Sequence, residues 1–213
     1  METGEIRIDG VLTSIRPMGE DYIVGDDERQ VGVTVEIQCC QGHAVWPNPP
    51  YVACFRKLLE AYGIAGLTAW QGRHLVGFLP VWPRDCGLPN LPHCVSAPIE
   101  LSPGEIAEAI AIPFADLSPK VLKVQCLSVA ARLRRHGIGL AMARYLVDWA
   151  GELGWERLQG WAFAEPGIGE AYRWLPSIQF WEKAGYQRGK SCVFDPSDPI
   201  TNQPGFEFFA DLG

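Results

Sequence analysis

The chain has 213 residues, 47% of them hydrophobic and 20% charged, and its 18 basic and 25 acidic side chains leave a formal charge of −7. These values suit one folded domain with its own core and argue against a disordered chain or a nucleic-acid surface as the main function. No run approaches the length of a membrane span, the N-terminal Met-Glu-Thr-Gly-Glu lacks the regions of a secretion signal, and seven cysteines without framework spacing suit reduced thiols, so a cytoplasmic protein is expected. The negative charge mildly favours cationic partners, although solubility explains it equally well.

In chain order, residues 5–15 and 31–39 are expected as strands, the second with Val31, Val33, Val35 and Ile37 at period two, joined through the turn Gly25-Asp26-Asp27. Pro47, Pro49 and Pro50 mark a break, and residues 52–62 form a helix stopped by Gly63. Residues 67–70 and 75–81 form a hairpin around Gln71-Gly72. Proline-rich, irregular chain follows to residue 104, and Ser102-Pro103-Gly104-Glu105 then has the signature of a helix start, with Ser102 as N-cap; that helix ends near Pro113. Residues 121–129 read as a strand. Residues 138–153 read as a helix whose stripe of Ile138, Met142, Tyr145, Trp149 and Leu153 is packing. The strand 157–163 should lie parallel to 121–129, and a Gly/Pro-containing loop follows over 165–173. Residues 206–209 form a last strand. Cys39-Cys40 with His43, and Cys86 with His93 and Cys94, fit no strong zinc spacing, so no metal is expected.

The chemistry concentrates in Arg134-Arg135-His136-Gly137-Ile138-Gly139, a basic turn between a strand and a helix N-terminus. The first N–H groups of a helix lack internal partners and carry the positive end of its dipole. Glycines there let a phosphate approach the backbone, and the arginines add full charge. The expected ligand is a pyrophosphate. No Gly-Lys-Ser/Thr follows, so the turn is not a Walker A loop, and the three spaced glycines of a dinucleotide fingerprint are absent.

Arg134, Gly137 and Gly139 resemble the acetyl-CoA motif of the GNAT acetyltransferases, Arg/Gln-x-x-Gly-x-Gly/Ala, and Leu127-Ser128-Val129 resembles the strand end that leads into it. Residues 176–186 are similar to the family's late Ala/Ser-Ile-x-Phe-Tyr-Glu-Lys-x-Gly-Phe segment, and residues 69–78 to the hairpin of its strands two and three. The resemblance covers roughly residues 50–82 and 121–190. It implies an α/β fold with a mixed, splayed central sheet flanked by helices, in a single domain over 1–213. Residues 83–120 would be an insertion between the third and fourth family strands: a lid, an acceptor wall or a dimer contact. A homodimer is left open.

The resemblance further implies acetyl-CoA as donor and direct transfer of the acetyl group to an amine of a small molecule or peptide. The alternatives are a CoA-binding sensor or interaction module without transferase activity, and a domain with a different acyl donor such as a longer acyl-CoA. The donor would lie on Leu127, Ser128, Val129, Arg134, Arg135, His136, Gly137, Ile138, Gly139 and Leu140, with Trp174, Ser177, Phe180 and Trp181 alongside. Two positions depart from the family: the Tyr that protonates the leaving thiolate is Trp181 here, and a recurrent Asn is Trp174. An indole is no acid near neutral pH. Tyr172, Tyr186 or solvent is left for that step. Glu165, just beyond the parallel strand, is the candidate base, with a solvated loop carboxylate as the plain alternative.

Overall fold

The computed structural model describes residues 4–19, 34–37, 49–84, 102, 104–105, 108, 110, 112–164, 176–193 and 204–213. The N-terminal segment expected as one strand is a hairpin of β1 (Gly4–Ile8) and β2 (Val11–Pro17). Asp9 and Gly10 turn it with φ of 50° and 81°. Asp-Gly is a strong signal for a two-residue turn of positive φ, and it outweighs the continuous apolar run around it. Of the second expected strand, β3 is Thr34–Val35; residues 31–33, 38–39 and the turn at 25–27 lie outside the described residues. Helix α1 (Pro49–Tyr62) begins on the prolines read as a break. A helix's first turn has no use for the N–H that proline lacks, so proline starts a helix as readily as it stops one.

β4 (Gly66–Gln71) and β5 (His74–Pro83) form the expected hairpin, almost wholly buried. Ser102 Oγ accepts from the Glu105 N–H at 3.3 Å while the Glu105 carboxylate accepts from the Ser102 N–H at 2.7 Å, the reciprocal capping the sequence announced. The rest of the proposed insertion falls largely outside the described residues.

Residues 121–129 divide into β6 (Val121–Val124) and β7 (Ser128–Val129). Both pair antiparallel with β5, but the register slips by one residue between Val81↔Val124 and Phe78↔Ser128. Cys126 and Leu127 thus oppose Leu79 alone, which is a bulge, and a bulge bends its strand. Helix α2 (Ile138–Glu152) follows, then β8 (Arg157–Phe163), helix α3 (Ile178–Ala184), β9 (Gln187–Val193) and β10 (Pro204–Asp211). On α2, Ile138, Met142 and Trp149 are buried as expected, while Leu146 joins them and Tyr145 is only partly covered.

The ten strands form one mixed sheet in the order β1-β2-β4-β5-β6-β8-β10-β9, with β3 and β7 also on β5. β6 and β8 are parallel, as the strand–helix–strand order requires, but they pair only from Val121↔Arg157 to Lys123↔Gln159. Beyond that point β7 follows β5 and β8 follows β10, so the sheet opens between β7 and β8. This is the splayed α/β sheet flanked by helices. Among the described residues no helix is long and apolar enough to cross a membrane.

Candidate active site

The opening is lined by backbone. Ala130 donates to Val76 O at 2.9 Å and Ser128 pairs with Phe78, so by alternation Leu127 and Val129 turn their N–H and C=O groups away from β5 toward the gap. On the other wall Ala164 donates to Pro204 O of β10, so Trp161 and Phe163 face the gap in the same way. Two strand edges whose hydrogen-bonding groups are not spent on a neighbouring strand can hold an extended ligand that carries amides of its own.

The gap runs into the turn ahead of α2. A single 3-10 turn at Ala131–Leu133 leads to Arg134, and Arg135 takes φ of 65°. Gly137 caps α2 with φ of 92°, in the left-handed region, and contributes no side chain to the cap. A Cβ placed there would meet nothing within 4 Å, so the space over this residue is open. Ala141 is the first residue to bond back, to Gly137 O at 2.9 Å. The N–H groups of Ile138, Gly139 and Leu140 therefore have no partner within the helix. At Gly139 a Cβ would come within 3.2 Å of Leu127, 3.5 Å of Phe180 and 3.7 Å of Val129, which brings the helix start, the strand edge and α3 together. Open space over a left-handed cap, free N–H groups and exposed arginines fit a pyrophosphate.

Other expected residues have found different partners. Arg134 Nε donates to Val129 O at 3.3 Å, which ties the arginine to the strand edge. His136 is exposed; its Nδ1 donates to Arg134 O at 2.8 Å, and its Nε2 lies 3.6 Å from Asp9 at the β1–β2 turn. Ser177 Oγ caps α3 by accepting from the Phe180 N–H at 3.2 Å. Trp181 is 1% exposed. Its indole lies over Gly160, where a Cβ would fall 2.6 Å from the ring, and its Nε1 donates to Trp161 O at 3.0 Å. Trp181 thus satisfies one of the β8 carbonyls that face the gap. Tyr186 packs against it at 4.7 Å between ring centroids, and burial drives this phenol far above its ordinary pKa. Glu165, Tyr172, Trp174, and the Cys39-Cys40-His43 and Cys86-His93-Cys94 groups lie outside the described residues. Among the described residues no cluster of His, Cys, Asp or Glu is placed to hold a metal.

Three features of the site escaped the sequence reading. Gly160 makes room for the Trp181 ring, and a glycine inside a strand is a usable sign of close approach. Glu36 accepts from Arg132 Nε at 2.6 Å and Nη2 at 3.0 Å, and it lies 2.6 Å from His74 Nδ1, which anchors the turn before Arg134 to β5. Arg132 also reaches Gln71 Oε1 at 3.2 Å, and Gln71 in turn donates to Thr13 at 3.0 Å. Glu207 on β10 accepts from Gln159 on β8 at 3.2 Å. The last two join residues far apart in the chain, and nothing local signals them.

The model of the acetyltransferase (GNAT) family matches residues 34–186. No curated protein matches the chain. Among solved structures, an acetyltransferase of the GNAT family from Streptococcus pneumoniae is 11% identical over 94% of this chain and 99% of its own, with a TM-score of 0.55. The yncA protein of Salmonella typhimurium, determined with its cofactor acetyl-CoA, is 10% identical over 94% of each chain, with a TM-score of 0.53. The ribosomal-protein-S18-alanine N-acetyltransferase of Escherichia coli is 11% identical over 94% of each chain, with a TM-score of 0.50. At such identities these likenesses establish the fold.

Proposed function

This chain belongs to the acetyltransferase (GNAT) family, and from that premise we propose that it moves an acetyl group from acetyl-CoA to an amine by direct attack. The observation that carries the reading is the junction of the open β7–β8 edges with the free N–H groups of α2 over Gly137. The donor supplies a thioester, whose carbonyl carbon is the electrophile. The chain's part is to hold it. Ile138, Gly139 and Leu140 offer N–H groups to the pyrophosphate, Arg134 and Arg135 add charge, and the Leu127 and Val129 edges align the arm between the strands.

Proton handling falls to groups outside the described residues or to solvent. We assign the base to Glu165, two residues past the end of β8 in the sequence, and leave Tyr172 or water to protonate the thiolate. Trp181 and Tyr186 are unsuited to that step. The first has its N–H engaged on Trp161, and the second is sealed beside it. A thiol has a pKa of about 8.5, so its thiolate departs without an enzyme acid. The protein is expected to act in the cytoplasm.

The second reading, a CoA-binding module without transfer, draws on that same engagement of Trp181 at the place where the family carries a phenol. Thiol release from acetyl-CoA over a panel of primary amines separates the two. Transfer predicts release that depends on the amine and falls about a hundredfold or more in Glu165→Gln, with CoA affinity kept. Tight CoA binding with no release above the amine-free rate across the panel would leave the binding module.

A further inference from the structure

Successive side chains of a strand point to opposite faces of the sheet. Gly160 lies under Trp181 on the α3 face, so Gln159, Trp161 and Phe163 stand on the other. These three side chains therefore stand across the sheet from α2 and α3. Gln159 is the last residue of β8 paired to β6, so it marks the point where the walls part. Its Nε2 donates to Glu207 Oε1 at 3.2 Å, which holds the carboxylate of β10 at the same point. Its own Oε1 is shut off from water and meets no donor among the described residues.

Glu207 is a half-buried carboxylate with no cation at ion-pair distance among the described residues, whereas Asp211, farther along the same strand, is paired with Arg157 at 2.6 Å. Beside them the Trp161 and Phe163 rings meet edge to face at 4.4 Å between centroids, both buried, and the Trp161 N–H is taken by Cys192 Sγ at 3.0 Å.

Among the described residues, a carboxylate outside any ion pair and an amide oxygen without a donor stand together against an apolar wall. Neutral alcohols or amides would answer one of these oxygens and leave the charge alone. A primary ammonium carries three donors and the missing charge, and poor screening beside the rings strengthens the attraction. We propose that Glu207 and Gln159 are the seat that holds and orients the acceptor's ammonium group. This rests on the transferase reading of the opening. The seat binds and orients the amine; removal of its proton belongs to another group.

Calorimetric titration of the protein–CoA complex tests this with 2-phenylethylamine as probe and 2-phenylethanol as its neutral counterpart. The complex should bind the amine about tenfold more tightly than the alcohol, since a hydrogen bond to a charged group is worth that much. In Glu207→Gln the preference should fall to within about twofold, and in Gln159→Leu it should shrink while remaining, because the carboxylate stays. CoA affinity measured on each variant reports that the fold and donor site persist. A complex that binds CoA but does not prefer the amine, or a Glu207→Gln variant that keeps the preference, overturns the seat and leaves the transferase reading standing. Failure of the parent protein to bind CoA overturns both.

Discussion

The donor side and the acceptor side that we propose for the opening are built from different materials. On the donor side the groups offered to the ligand are chiefly main chain, the N–H groups after Gly137 and the edges of Leu127 and Val129, with charge added by Arg134 and Arg135. On the acceptor side they are side chains from separate strands, Gln159 and Glu207 among them, set together only by folding. Backbone groups are present whatever the residue, so what the donor side needs from the sequence is permission, namely glycine where φ is positive and no Cβ where a phosphate comes close. The acceptor side needs particular atoms at particular places. The first kind of site can be shared among distant relatives, and the second is free to differ.

The largest expected effect strikes the donor side at its one conformational requirement. Gly137→Val places a branched side chain at φ of 92°, in space that is open in the protein and reserved for the ligand. CoA affinity should fall about a hundredfold or more, because strain of about 1–2 kcal/mol adds to blocked approach. Titration of CoA into the variant checks it. Affinity within threefold of the parent would mean that the phosphates sit elsewhere, and the contrast between the two sides would lose its basis.

Gly160→Ala comes next and acts on the wall between the sides. Its Cβ would stand 2.6 Å from the Trp181 ring, and the ring cannot move without losing the bond to Trp161 O. Overpacking of this kind costs about 1–3 kcal/mol, so thermal unfolding should start several degrees lower. An unchanged melting temperature would show that the indole has room to shift and does not hold the β8 edge. Arg134→Ala should do less. With Nε already bound to Val129 O, its charge adds a screened attraction to the phosphates, and CoA affinity should drop about threefold to tenfold at low ionic strength and less at high salt. A loss independent of salt would point to the strand contact instead.

This division also explains what could be seen in the chain before it was folded. The strand–turn–helix around Gly137 was legible because its meaning is local: the residues that matter are neighbours in sequence, and each has one physical reason to be there. That the strand from Val121 runs parallel to the one from Arg157 followed from the helix between them, although the two pair only as far as Lys123 and Gln159. The bulge at Cys126-Leu127 was not legible, because it is defined by Leu79 across the sheet. Trp181 was assigned to the donor by its place in a motif, yet its burial depends on Gly160, twenty-one positions earlier in the chain. Asp9-Gly10 is a legible turn signal, but the apolar run on either side of it reads as one strand. Glu36 with Arg132 and Gln159 with Glu207 are pairings that only the sheet order creates.

The smallest effect tests whether the donor side depends on local residues alone. Glu36 clamps Arg132, two residues before Arg134, from the position after β3, which joins β5 just past the end of β7. Its carboxyl is held below the ordinary value of 4.5 by the Arg132 hydrogen bond above all; desolvation opposes this, and His74 adds to it. A carboxyl with a depressed folded-state pKa contributes stability that is present above its unfolded value and is lost as pH falls through the folded one. The melting temperature of the parent should therefore exceed that of Glu36→Gln near neutral pH, by a degree or two on the order of an accessible ion pair, and the difference should close below pH 4.5. CoA affinity at neutral pH should fall no more than about threefold, since the clamp restrains the turn without touching the phosphates. A tenfold loss would mean that a side-chain network sets the loop's shape. The donor side would then depend on distant residues as the acceptor side does, and its legibility in the sequence would have come from the motif without its support.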